Sequence, residues 1–131
     1  MAKLLIVEDD ESVRTLAARA LERAGHSVDV ACDGAEGLER IQARKGAYDL
    51  VVSDIRMPEM DGIEMAQLAA RSFPGLPILL MTGYADQRER AEELDAIIVD
   101  VVQKPFTLSE IRDRVSLALA AQSAVALAGA A

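Results

Sequence analysis

Short apolar runs alternate along this chain with stretches of helical period, and that alternation restricts its fold more than any other feature. Lys3–Val7 is apolar and strand-like, and Val13, Leu16, Ala17, Ala20, Leu21 and Ala24 then recur at three- and four-residue steps, as on one face of a helix. Gly25 stops that helix. Ser27–Ala31 alternates as a second strand, Gly34–Ala43 is a helix with Ala35, Leu38 and Ile41 on its apolar face, and Gly46 ends it. Residues 50–53 read as a fully buried strand, 57–62 as a loop through Pro58 and Asp61-Gly62, and 63–72 as a helix. A turn at 74–77 leads into a strand at Ile78–Thr82, a charged helix at 85–94, a strand at 97–102, and a last amphipathic helix at 108–119 through Ile111, Val115 and Leu119. Five βα units predict an α/β fold, a doubly wound five-stranded parallel sheet.

With 131 residues, the chain is large enough for one domain with a single core, here residues 1–120. Residues are 51% hydrophobic but only 3% aromatic, so Ala, Leu, Ile and Val must build that core, as in helix-covered parallel sheets. The short Ala-rich tail, residues 121–131, is expected to extend the last helix or fray, and no output domain is expected. A single cysteine, Cys32, excludes an internal disulfide. No apolar stretch is long enough to span a membrane and no signal-peptide core is present, which predicts a cytoplasmic protein that does not engage membranes. The formal net charge of −8 argues against nucleic-acid binding and for protein partners. Arg88 and Arg90 are interleaved with Glu89, Glu92 and Glu93, as on a solvated helix face.

Four strand ends carry chemistry: Glu8-Asp9-Asp10 after the first, Asp54 after the third, Thr82 at the end of the fourth and Lys104 after the fifth. In a parallel sheet all four emerge on one edge, where open α/β folds bind ligands. A carboxylate can attack a phosphoryl group only if the negative charge of both is offset, and three adjacent carboxylates that repel one another invite a divalent cation. Asp10 reads instead as the cap of the following helix. Each residue alone has a plain reading as well: Asp54 as a turn residue, Thr82 as the end of a strand, Lys104 as a solvent-facing side chain. Lys104 precedes Pro105, whose ring restricts the loop that aims the ammonium. The only histidine, His26, lies in a turn and reads as structural, and Met57, Met60 and Met65 read as loop and core packing.

Taken jointly, the stretches Leu5-Ile6-Val7-Glu8-Asp9-Asp10, Val51-Val52-Ser53-Asp54-Ile55-Arg56-Met57-Pro58-Glu59-Met60-Asp61-Gly62, Met81-Thr82-Gly83 and Lys104-Pro105-Phe106 closely resemble the receiver domains of two-component response regulators, of the CheY type, over residues 2–120. The resemblance implies a flavodoxin-like (βα)5 fold with Asp54 as phosphoacceptor. It implies Mg²⁺ held by Asp9, by Glu8 through water, by Asp54 and by the backbone carbonyl of Arg56, with Thr82 and Lys104 on the phosphoryl oxygens. It implies a histidine kinase or histidine phosphotransfer protein as donor, and a downstream protein target read through the face of the fourth helix, fifth strand and fifth helix. The protein would be a monomer or weak homodimer. It would not turn over a substrate as an enzyme does, its chemistry being Mg²⁺-dependent self-phosphorylation and autodephosphorylation. A narrower resemblance is to stand-alone alphaproteobacterial receivers of the CpdR-like group.

Two departures stand out. Many receivers carry a switch aromatic three residues before the site lysine, and here that position is Val101, which leaves Tyr84 to be read either as a substitute aromatic or as an ordinary loop tyrosine. Arg56, long and cationic, overlooks the expected acyl phosphate and is expected to alter its hydrolysis. A phosphatase of the haloacid-dehalogenase type also uses a strand-end Asp but wants a second acid two residues later, where Arg56 stands. The alternative, a receiver-like binding module that never becomes phosphorylated, normally lacks the acidic pair, the Asp or the Lys, and all are present. No Gly-rich Walker-type motif exists, which excludes a P-loop enzyme.

Overall fold

The computed structural model describes residues 2–83, 97–104 and 106–130, with side chains through 122. Five parallel strands, β1 (Lys3–Val7), β2 (Ser27–Ala31), β3 (Leu50–Asp54), β4 (Ile78–Thr82) and β5 (Asp100–Gln103), form one sheet in the order β2-β1-β3-β4-β5. The helices are α1 (Glu11–Arg23), α2 (Gly34–Ala43), α3 (Gly62–Ser72) and the C-terminal helix (Leu108–Ala130). Tyr84, Pro105 and the helix expected at 85–94 lie outside the described residues.

Both sheet faces are covered, and β1 shows why its sequence is an unbroken apolar run. Leu5 and Val7 point into a cluster beneath α2 and α3 with Val51, Leu80 and Met65, whereas Leu4 and Ile6 point into one beneath α1 and the C-terminal helix with Val52, Leu79 and Ile111. Neighbouring residues of a strand face opposite sides, so a strand covered twice needs apolar residues at every position.

Short polar side chains start the helices. Asp10 accepts the Val13 amide at 3.1 Å, Asp33 the Glu36 amide at 2.8 Å and Asp61 the Glu64 amide at 2.8 Å, each satisfying a donor that the first helical turn leaves over. Thr107 and Glu110 form a reciprocal capping box, the Glu110 amide on Thr107 Oγ1 at 3.1 Å and the Thr107 amide on Glu110 Oε1 at 3.3 Å. The capping role expected of Asp10 is therefore observed. At the far end of α1 the Gly25 amide donates to the Glu22 carbonyl and the His26 amide to that of Leu21, a closure that needs φ +99° at Gly25. The His26 ring accepts the Ala2 amide at 3.2 Å, in keeping with its structural reading.

The structure bears on three expected boundaries. α2 ends at Ala43 as expected, and its exit is closed by two left-handed residues, Lys45 (φ 54°) and Gly46 (φ 74°), with the Gly46 amide returning to the Ile41 carbonyl at 2.9 Å. β5 begins at Asp100 rather than residue 97: β4 starts only at Ile78, whose carbonyl takes the Val99 amide at 2.7 Å, so Ile97 and Ile98 pack on the core without a ladder to join. The C-terminal helix runs to Ala130, so the tail extends the amphipathic stretch 108–119, the first of its two expected courses, as an Ala-rich segment with no proline allows. None of the helices, searched over the described residues, is long and apolar enough to cross a membrane.

Candidate functional site

The strand order places β1 between β2 and β3, with the chain leaving it outward to the edge strand β2 and returning on its other side as β3. That reversal opens a crevice at the carboxyl ends of β1 and β3, the usual ligand site of such sheets. Glu8 and Asp9 leave β1 there, Asp54 closes β3, Thr82 closes β4 beside it and Lys104 follows β5. Residues 96 apart in sequence meet: Lys104 Nζ donates to Glu8 Oε1 at 2.9 Å and lies 3.1 Å from Asp54 Oδ2.

Asp54 is held from several sides. Its residue is 6% exposed, its Oδ1 accepts the Ile55 amide at 3.0 Å, and its Oδ2 faces Lys104. The loop that follows returns to it through Gly62, whose amide donates to the Ile55 carbonyl at 2.8 Å. A Cβ on Gly62 would lie 2.1 Å from the Asp54 carbonyl oxygen, so only glycine permits the approach. Gly62→Ala should therefore cost about 1–3 kcal/mol by denaturant unfolding and displace Asp54, because backbone rather than a flexible side chain must yield.

Glu8 and Asp9 are neighbours with opposite surroundings. Asp9 is exposed, whereas Glu8 is 1% exposed, its amide donating to the Ala31 carbonyl and its own carbonyl accepting Arg14 Nη1 at 2.8 Å. Burial, reinforced by Asp54 and only partly opposed by Lys104, pushes the Glu8 carboxyl up to about 8. Lys104 is raised as well: burial alone would lower its ammonium, but the bond to Glu8 and the charges of Asp54 and Glu8 lift it above the usual lysine value.

Mg²⁺ chemistry can be tested against these groups. Among the described residues Glu8, Asp9 and Asp54 each present a carboxylate oxygen within 4.8 Å of the others, and Glu8 Oε2 is buried with no hydrogen-bond partner. An all-oxygen acidic set with one orphaned acceptor suits a hard divalent cation. Thr82 is buried, and its carbonyl accepts the Lys104 amide at 2.7 Å, tying the ends of β4 and β5 together. Arg56 is exposed two residues beyond Asp54, and Val101 is half-buried in β5 opposite Leu80. Sequence reasoning did not single out Arg14; its only signal is its place one turn into the helix after the acidic triplet.

Comparisons agree with this geometry. Residues 4–116 match the family model of the response regulator receiver domain. The response regulator MprA of Mycobacterium sp. (strain KMS) is 38% identical over 112 residues, 86% of this chain but 48% of that protein, so the chain spans about half the length of the curated relatives it matches. Among solved structures, the chemotaxis response regulator CheY4 of Vibrio cholerae superposes with a TM-score of 0.80 at 28% identity, covering 90% of this chain and 98% of its own. NtrX from Brucella abortus gives 0.88 at 25% identity over 98% of this chain and 29% of that one. With the acidic pair, the strand-end Asp and the lysine assembled on one sheet edge, the chain belongs to the response regulator receiver domain family.

Proposed function

We propose that this chain is a phosphorylation-controlled switch in two-component signalling: Asp54 accepts a phosphoryl group from a histidine kinase or a histidine phosphotransfer protein, and the modified state changes affinity for a downstream protein. The observation that carries this reading is the placement of Asp54, anchored through Oδ1 to the Ile55 amide with Oδ2 beside Lys104. An Asp54 carboxylate oxygen attacks the donor's phosphorus, the phosphorus–nitrogen bond breaks, and the imidazole departs. Glu8, Asp9, Asp54 and the Arg56 carbonyl would hold Mg²⁺, which when bound offsets the charge on carboxylate and phosphoryl group. Lys104 exchanges its carboxylate partners for a phosphoryl oxygen, and Thr82 supplies a hydroxyl to another. Because the Lys104 and Thr82 backbones are bonded, their rearrangement passes to β5 and to the face it shares with the neighbouring helices. Residues 1–120 make up the switch, with 121–131 as its tail, which continues the last helix as far as Ala130.

The test is intact-mass analysis after incubation with a small-molecule phosphodonor such as acetyl phosphate. We expect the gain of one phosphoryl group that requires Mg²⁺. No gain would favour a phosphate-independent binding module, and sustained release of phosphate a true phosphatase. Arg56→Asn should shorten the lifetime of the phosphorylated protein several-fold, since a shorter neutral side chain leaves the acyl phosphate open to water; a dephosphorylation time course reads this directly.

A further inference from the structure

We infer that Arg14 is a positioning residue for the cation site, acting through the backbone between the two acidic residues. This rests on the reading of Glu8, Asp9 and Asp54 as that site. Arg14 Nη1 donates to the Glu8 carbonyl at 2.8 Å from a half-buried position in the first turns of α1. That carbonyl and the Asp9 amide form one planar unit, so fixing the oxygen fixes the plane from which Asp9 departs. The other side of Glu8 is already held, its amide donating to Ala31 of β2 at 3.0 Å. Beyond Asp9, Asp10 caps α1 on the Val13 amide, and its carbonyl accepts the Arg14 amide at 2.9 Å. Glu8 to Arg14 is thus a closed hydrogen-bonded loop in which Asp9, the exposed carboxylate, is aimed by its neighbours rather than by contacts of burial.

The guanidinium has two effects of opposite sign on a bound cation. Its hydrogen bond orders Asp9 and favours binding, while its charge repels the ion. The bond acts on backbone at the site itself, whereas the charge is half-exposed and screened, so the positioning effect prevails. Arg14→Met, which removes donor and charge together, should weaken Mg²⁺ binding by about tenfold or more, the range for partners that orient metal ligands. Arg14→Gln, a neutral donor able to replace the bond, should restore most of it. A guanidinium acting through charge alone predicts the reverse, with both variants binding more tightly than the native chain.

Isothermal titration of Mg²⁺ into the metal-free native chain and both variants, at one pH and ionic strength, separates these cases. Amide resonances of Glu8 and Asp9 serve as a second readout that should move in Arg14→Met and return in Arg14→Gln. Equal or tighter binding by Arg14→Met overturns the inference. Should that variant fail to fold, Arg14→Gln decides alone, because tightening there shows that the guanidinium acts only by charge. Absence of Mg²⁺ binding by the native chain would instead overturn the cation-site reading, and the inference with it.

Discussion

Asp54→Asn will abolish the Mg²⁺-dependent mass gain completely while leaving the fold intact. The amide carries no negative charge and its nitrogen lone pair is delocalised, so the attacking atom is lost. The shape is kept: the Asn oxygen can still accept the Ile55 amide as Asp54 Oδ1 does at 3.0 Å, and Lys104 retains its bond to Glu8 at 2.9 Å. A carboxylate charge disappears beside Asp9 and Glu8, which offsets the lost Asp54–Lys104 pair, so unfolding free energy should stay within about 1 kcal/mol of native. Phosphorylation of the Asn variant, at any site, would show that the acceptor has been misassigned. A large drop in stability would show that the strand end tolerates no change, and the loss of chemistry would then say nothing about nucleophilicity.

The second large effect is a dependence of stability on pH that Mg²⁺ reverses. In the folded, metal-free protein Glu8 is raised from 4.5 to about 8, foremost by burial and then by Asp54. Between those two values the native state keeps a proton that the unfolded chain has released. Stability is therefore fully present below about pH 4.5 and falls as pH rises, by about 1.4 kcal/mol per unit within the window, until Glu8 ionises in the fold as well. Lys104 is raised above its usual value and stays charged throughout, so it does not cancel the trend. A cation that requires ionised Glu8 competes with this proton, so the stabilisation by Mg²⁺ should grow with pH over the same window. Denaturant unfolding at several pH values, in EDTA and in Mg²⁺, gives both slopes. In Asp54→Asn one source of the Glu8 shift is gone, and the EDTA slope should end at a lower pH. A metal-free slope that is flat or rises between pH 5 and 8 would mean that Glu8 is ionised in the fold and already satisfied there.

Much of this was legible in the residues before any coordinates. The strands β1 and β4 fall where the apolar runs place them and β2 where apolar and polar residues alternate, because both patterns are those of extended backbone and neither has helical period. Asp10 was readable as a cap from its place before a helical period, and the chemical inventory of the sheet edge from which residue follows each strand. These are local properties, set by residue period and by side chains that reach two or three positions along the chain. The boundary that shifted, the start of β5, and the course taken by the tail depend on what lies alongside: β5 can pair only where β4 exists, and the last helix continues beyond the part that packs on the sheet.

What only the tertiary structure decided is which of these residues meet and how wet each one is. Glu8 and Asp9 are adjacent acids with equivalent sequence signals, yet one is buried against Lys104 and the other faces solvent, because alternate residues leaving an inner strand turn to opposite surroundings. The order β2-β1-β3-β4-β5 brings Lys104 to Glu8 and Asp54, and the turn of α1 brings Arg14 to the Glu8 carbonyl. No residue period encodes those distances. The types of chemistry at the strand ends belong to the sequence by itself; their convergence, and the elevated proton affinity of Glu8, arise when packing takes charged groups out of water and leaves them only one another as partners.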